Sequence, residues 1–312
     1  MIMDGKKISL EIKDKLKGEI ELCNNKPCLC VISVGNNDAS SIYIRNKENA
    51  CKYIGMNFRH YPYEVGRCEK EIIDKINELN NDSTVDGIIC QLPLPDMYNV
   101  RNIVNNISYL KDVDGLTDIN VGHVINGSDG FIPCTPKGIM YLLKFYKIKL
   151  KGKHVVVVGR SNLVGKPILQ ECLKKDATVT ICHCKTKNLG DYTRSADILI
   201  VAVGKKNLIR ANMVKDGVII IDVGINKVNG KICGDVSINA KRKSYMYTPV
   251  PGGVGPMTVA MLLVNTFVSY KNKIIFLFIF DFYYYGYNEF VLKLIKNILI
   301  DGELVKKYER RF

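Results

Sequence analysis

The sequence predicts an α/β protein of two domains, each built on a parallel sheet, and three observations carry that prediction. Short apolar runs such as Cys28–Val34 and residues 155–158 read as buried strands, because they are too short for stable helices and each stops at a glycine. Segments with apolar residues three and four apart alternate with them, as crossover helices do between parallel strands. At 312 residues the chain also exceeds what one hydrophobic core usually serves, so the alternation is expected to divide into two units.

Taken in order, Ile8, Ile12, Leu16 and Ile20 recur every four residues among charged ones and mark an amphipathic helix. Cys28–Val34 is a buried strand, and Asn36-Asn37-Asp38 supplies turn residues that can cap a helix over 40–53. A second strand is expected over 58–63. Ile72, Ile73, Ile76 and Leu79 mark another helix, and residues 87–92 another buried strand. Thr135-Pro136 is a helix start, with Ile139, Leu142, Leu143 and Tyr146 as its apolar stripe leading into the second domain. There strands are expected at 155–158, 178–182, 198–203 and 218–223, with a helix from about Val164, which is a Rossmann-like dinucleotide-binding pattern. Pro256 opens a last apolar helix through Met261, Leu262 and Leu263. Beyond Tyr270 the character changes. Residues 274–280 are apolar but too few to span a bilayer, and Tyr283-Tyr284-Tyr285-Gly286-Tyr287 and a lysine-rich end follow. This stretch reads as a helical appendage, with a misread gene end as the alternative. The expected division is 1–140 for the first domain, completed by the helix at about 256–270, then 141–255 for the second domain and 271–312 for the extension.

A hydrophobic fraction of 47% with 24% charged residues is that of an ordinary soluble globular protein. The net charge of +14 raises the question of nucleic acid, but the lysines are scattered and no arginine-rich arm or RNA-binding aromatic motif accompanies them. A solvated basic surface is expected, which also attracts a multiply anionic small substrate. The eleven cysteines are odd in number and lie mostly in apolar runs. None are paired at the two-residue gap of a zinc knuckle, and Cys182-His183-Cys184 is too tight for all three to bind one metal tetrahedrally. Free thiols in a reducing compartment, no metal, no membrane and a cytoplasmic location are therefore expected, since residues 1–7 form neither a secretory signal nor a transit peptide.

Two groups of residues carry chemistry. Gly159-Arg160-Ser161-Asn162-Leu163-Val164-Gly165 follows a strand of valines and opens a helix, where glycines let backbone N–H groups approach a phosphate. Its spacing is not GxGxxG, so alone it is equally a structural turn. The end of the next strand, Cys182-His183-Cys184-Lys185-Thr186, lacks the carboxylate that would bind the ribose hydroxyls of NAD. Arg160 and Lys185 are placed to meet a 2′-phosphate instead, which points to NADP, although both also read as surface cations. In the first domain Ser40, Tyr43 and Lys47 share one helix face, an amine beside a ring that can stack on a flat substrate. By spacing alone Lys47, beside Glu48, reads first as an ordinary surface residue. Gln91 lies at the C-terminal edge of a buried strand, where parallel sheets place ligands, and Pro93 and Pro95 stiffen its exit. Asp114, within Lys111-Asp112-Val113-Asp114-Gly115, has a carboxylate suited to an amino-pyrimidine ring, with an ordinary turn carboxylate as the alternative. Three prolines and three glycines between Thr248 and Thr258 make a loop with bare backbone.

Tyr43-Ile44-Arg45-Asn46-Lys47, Gln91-Leu92-Pro93-Leu94-Pro95, Lys111 to Gly115, Pro133-Cys134-Thr135-Pro136, Gly159-Arg160-Ser161, Asp222-Val223-Gly224-Ile225-Asn226 and the loop from Pro249 to Thr258 occur in an order that resembles the bifunctional methylenetetrahydrofolate dehydrogenase/cyclohydrolases, over about residues 3–270. The resemblance implies two domains around a cleft, a homodimer, tetrahydrofolate derivatives as substrates and NADP as cofactor. It implies Lys47 as the catalytic lysine, with Gln91 and Asp114 as its partners. Tyr43 would stack on the pterin, Asp114 would anchor its amino-pyrimidine edge, and Ser40, Cys90, Leu92, Pro251, Gly252, Gly253, Val254 and Gly255 would line the pocket. Gly159, Arg160, Ser161, Gly165, Cys184 and Ile225 would hold the cofactor, with Cys184 where NADP-using members often carry serine. A dehydrogenase lacking the hydrolytic step and a silent folate- or NADP-binding regulator are the alternatives, and the intact Lys47, Gln91 and Asp114 set speaks against both.

Overall fold

The computed structural model describes residues 1–35 and 38–285, the side chains of 38–40 and 275–285 excepted, and in it the chain starts on the second sheet before it builds the first. Met3 N donates to Tyr247 O at 2.8 Å and Tyr247 N donates to Met1 O at 3.1 Å, so the first residues lie parallel to the strand at Tyr247. Asp4 then caps α1 (Gly5–Glu21), its Oδ1 accepting from Lys7 N at 2.9 Å. The predicted stripe of Ile8, Ile12, Leu16 and Ile20 is its buried face.

The first unit continues with β1 (Cys28–Val34), α2 (Asp38–Ile54), β2 (Asn57–Tyr63), α3 (Glu69–Asn81) and β3 (Gly87–Cys90). The three strands are parallel in the order β2-β1-β3, and β1, buried along its whole length, is central. Two short helices, α4 (Val100–Asn105) and α5 (Asp118–Asn126), precede α6 (Cys134–Phe145). The second unit runs β4 (His154–Val158), α7 (Gly165–Leu173), β5 (Thr178–Cys182), α8 (Leu189–Ser195), β6 (Ile198–Val201), β7 (Ile219–Asp222), a hairpin of β8 (Asn226–Val228) and β9 (Lys231–Cys233), α9 (Ile238–Lys243) and β10 (Met246–Tyr247). Its sheet is parallel, in the order β10-β7-β6-β4-β5. The chain leaves β4 toward β5 on one side and returns to β6 on the other. The crevice at the C-terminal end of β4 is therefore the topological switch point, where such sheets bind ligands.

The last helix, α10 (Val254–Tyr285), turns back and packs on α1 and α6. It begins two residues before Pro256 and continues past Tyr270. Its buried residues Met257, Met261, Leu263 and Phe267 join Ile8, Ile12 and Ile139 in one core that also includes Val155 and Ile198 of the second sheet. Lys271 pairs with Glu19 at 2.8 Å, and Lys273 reaches the buried Asp86 carboxylate.

Some boundaries differ from the sequence reading. β3 stops at Cys90, β6 at Val201 and β7 at Asp222, each short of the predicted end, because the chain turns there into ligand-edge loops. The short helices α4, α5, α8 and α9, six to nine residues each, and the three-residue strands of the β8–β9 hairpin are too short to show a period. Asn36, Asn37 and residues 286–312 lie outside the described residues. Among the described residues no helix is long and apolar enough to cross a membrane. All eleven cysteines are free thiols, and seven are buried.

Candidate functional site

The residues singled out in the first unit converge at the C-terminal edge of its sheet. Tyr43 and Lys47 lie on one face of α2, and Tyr43 stays 40% exposed, so its ring is open for stacking. Lys47 Nζ donates to Gln91 Oε1 at 2.8 Å. Gln91 sits one residue beyond β3, still tied to β1 through its N–H to Ile32 O at 2.8 Å. Its Nε2 donates to Leu92 O at 2.8 Å, which turns Oε1 toward the lysine. Ser40 lies on the same helix, and its side chain is outside the described residues.

Asp114 completes the cluster. Burial pushes the Lys47 ammonium below its ordinary range, and the nearby Asp114 charge opposes that shift. Burial likewise pushes the Asp114 carboxyl above the usual carboxylate range, with Lys47 opposing. The Cys134 thiol lies beside Asp114 and donates to Val113 O at 3.3 Å, and burial raises it well above an ordinary thiol. Cys90 and Leu92 flank Gln91. Cys90 packs into the core on the far face of the sheet, and burial pushes its thiol to about 12.

The loop before α10 closes over this edge. Val254 and Gly253 are buried, whereas Pro251 and Gly255 are exposed and Gly252 lies between. The loop is pinned from below by the start of α1. Lys6 N donates to Gly252 O at 2.9 Å, and a Cβ on Gly5 would lie 1.9 Å from Gly253 O. Only glycine at position 5 permits that approach.

The predicted cofactor residues gather at the switch point. Gly159 follows β4 with φ +128°, and its N–H bonds Cys182 O at 2.8 Å. Ser161 Oγ accepts from Val164 N at 3.2 Å ahead of α7, and Gly165 opens that helix. Arg160 and Ser161 are exposed, as are Cys184 and Lys185 beyond β5 and Ile225 beyond β7. These residues thus face one crevice from the ends of three strands. Cys182 is buried and Cys184 exposed, so the Cys-His-Cys triplet does not converge.

Several residues that build the site were not singled out from sequence. Gly5 shapes the loop. Asn265 of α10 stands behind the lysine cluster: its Nδ2 donates to Val113 O at 2.8 Å and its Oδ1 accepts from Lys137 Nζ at 2.5 Å. Thr135 and Thr258, named from sequence only as parts of their motifs, join α6 to α10 by a 2.9 Å hydroxyl pair. The available signal was an asparagine inside an otherwise apolar helix, where a buried amide must have partners.

Comparison with known proteins agrees with this geometry. Residues 3–114 match the tetrahydrofolate dehydrogenase/cyclohydrolase catalytic domain, and residues 133–274 match the NAD(P)-binding domain of the same family. The bifunctional protein FolD of Campylobacter hominis is 49% identical over 278 residues, covering 88% of this chain and 98% of that protein. The crystal structure of the bifunctional enzyme FolD from Campylobacter jejuni superposes with a TM-score of 0.86 at 48% identity, covering 88% and 99% of the two chains. The Trypanosoma brucei methylenetetrahydrofolate dehydrogenase-cyclohydrolase, complexed with NADP cofactor and inhibitor, superposes at 0.84 with 32% identity, covering 88% and 98%. With both family domains matched in order and the relatives covered almost end to end, the chain belongs to the tetrahydrofolate dehydrogenase/cyclohydrolase family.

Proposed function

We propose that this protein oxidises 5,10-methylenetetrahydrofolate to the 5,10-methenyl form with NADP+ and hydrolyses that product to 10-formyltetrahydrofolate. The observation that carries the reading is the Lys47–Gln91 contact at 2.8 Å with Asp114 beside it, at the sheet edge beneath the glycine-rich loop. In this reading residues 1–140 with the helix at about 256–270 hold the folate, residues 141–255 hold the cofactor, and 271–312 form an extension. The protein works as a cytoplasmic homodimer.

Tyr43 stacks on the pterin, Asp114 binds its amino-pyrimidine edge, and Ser40, the backbone of Cys90, Leu92 and the loop from Pro251 to Gly255 line the pocket. The crevice at β4 fits a dinucleotide phosphate, since Gly159 allows a tight turn ahead of α7, and Arg160 and Cys184 stand where a 2′-phosphate would lie. Bound there, NADP+ would supply the hydride acceptor for the folate methylene carbon. Gly159, Arg160, Ser161, Gly165, Cys184 and Ile225 hold and orient it, so positioning is the protein's main contribution to that step. In the second step water adds to the methenyl carbon, and Lys47 takes the proton that water loses. The same ammonium returns a proton to the folate N5 as the carbon–N5 bond breaks, and the hydroxyl proton passes to solvent as the carbonyl forms, leaving the formyl group on N10. Burial, which holds the lysine below its ordinary range, eases both proton transfers.

The test is spectroscopic. Methylenetetrahydrofolate oxidation is followed with NADP+ or NAD+, for the wild type and for Lys47→Ala. NADP-dependent turnover to the formyl product, with hydrolysis lost in the variant, supports the reading. A folded wild-type protein that oxidises the folate with neither cofactor overturns it.

A further inference from the structure

Two buried aspartates of the second unit clasp each other across glycines. Asp222, at the end of β7 and 0% exposed, accepts from Asp235 N at 2.9 Å and from Val236 N at 3.2 Å. Lys241 pairs with it at 2.7 Å. Asp235, also 0% exposed, reaches back the other way. Its Oδ2 accepts from Val203 N at 2.8 Å and Gly204 N at 3.0 Å, and its Oδ1 from Lys205 N at 2.7 Å and Asn226 Nδ2 at 2.9 Å. A Cβ on Gly224 would lie 2.1 Å from the Asp235 carboxylate, and one on Gly234 would lie 1.9 Å from that of Asp222. The clasp therefore needs both glycines.

Three successive backbone N–H groups after a parallel strand form a concavity that binds anions. In this chain the protein fills that nest with its own carboxylate, and the same carboxylate holds Asn226. The loop after β6 is thereby tied to the loop after β7. Both lie against the switch-point crevice: a Cβ on Gly159 would sit 2.3 Å from Ala202 O, and Ile225 stands exposed next to Asn226. Four donors converge on one buried carboxylate with no cation among them, an expensive arrangement if its only task were to end a strand.

We infer that Asp235 is a positioning residue for the nicotinamide end of the cofactor, fixing residues 203–205 and 224–226 as the two walls between which that ring is held. The inference rests on the proposed dehydrogenase reading and adds to it a residue that does not touch the reacting atoms. Asp235→Asn turns an amide N–H toward backbone donors and breaks at least one wall contact. Asn226→Ala removes only the tie to the Ile225 loop and leaves the nest filled.

The experiment measures NADP+ affinity of the free protein by calorimetric titration, the dehydrogenase KM for NADP+ and kcat, and hydrolysis of methenyltetrahydrofolate without cofactor. Asp235→Asn should weaken NADP+ binding and raise its KM by about tenfold or more, the loss of one charge-assisted hydrogen bond. Cofactor-free hydrolysis should stay within about twofold, because its residues lie in the other unit. Asn226→Ala should lower dehydrogenase kcat with a smaller change in KM and the same preserved hydrolysis. Should Asp235→Asn fail to fold, the Asn226→Ala pattern alone decides. Variants that bind and oxidise as wild type does, or that lose both activities in proportion, overturn the inference. A wild-type protein with no dehydrogenase activity would instead sink the underlying reading.

Discussion

Lys47 Nζ and Gln91 Oε1 meet at 2.8 Å across 44 positions of sequence, joining the middle of α2 to the exit of β3. The amide cannot rotate away, since its other end is bonded to Leu92 O. A neutral acceptor fixes the amine in place without adding a negative charge that would hold it protonated.

Replacing Gln91 therefore separates geometry from charge. Gln91→Ala frees the amine, and hydrolysis should fall by roughly tenfold to a hundredfold with little change in folate KM. Gln91→Glu keeps a partner but stabilises the ammonium, so the rising limb of the hydrolysis pH profile should move to higher pH. A profile that stays put in the Glu variant would remove Lys47 from the titrating role.

Asp114 acts on the same limb with the opposite sign. Its charge raises the affinity of Lys47 for a proton against the effect of burial. Asp114→Asn removes that support, so the limb in kcat should shift to lower pH, while folate KM rises. Measuring kcat at saturating folate from pH 5 to 10 checks both effects.

Gly5 tests how the folate loop is seated. Gly5→Ala places a methyl group 1.9 Å from Gly253 O, so either the loop or the start of α1 must move. Overpacking of this kind costs about 1–3 kcal/mol. Denaturant melts should show that loss together with a raised folate KM and an unchanged NADP+ affinity.

Lys273 ties α10 to the first sheet through Asp86, which also accepts Cys28 N at 2.9 Å. Burial pushes the Asp86 carboxyl above its usual range, and Lys273 pulls it back. Lys273→Ala leaves that carboxylate without its cation, at a cost of about 3 kcal/mol. A raised folded value means that stability falls as pH rises from the unfolded carboxylate value through the folded one. In the variant the folded value rises further, so the deficit should be larger at pH 8 than at pH 5. Urea melts at the two pH values check this, and a chain ending after Tyr270 should show the same deficit or more.

Much of this protein is determined by sequence alone. The apolar run of β1, the four-residue stripe of α1 and the Gly159 turn after β4 depend on local period and local chain stiffness, which any window of residues displays. The order of motifs from Tyr43 to Thr258 was enough to indicate the family. What tertiary structure decided is which of them meet. Nothing local to Lys47 distinguishes it from a surface lysine: its burial is created by β3, by the Asp114 turn and by α6. Gly5, Asn265 and Asp235 look like a helix start, an odd polar residue and a turn carboxylate until contacts 100 to 250 positions away, or a neighbouring strand's loop, give each its partners. Periodicity records which face of an element is buried. It carries no record of what that face is buried against, and that is set by the packing of α10 on α1 and α6 and by the crossing of the chain at β4.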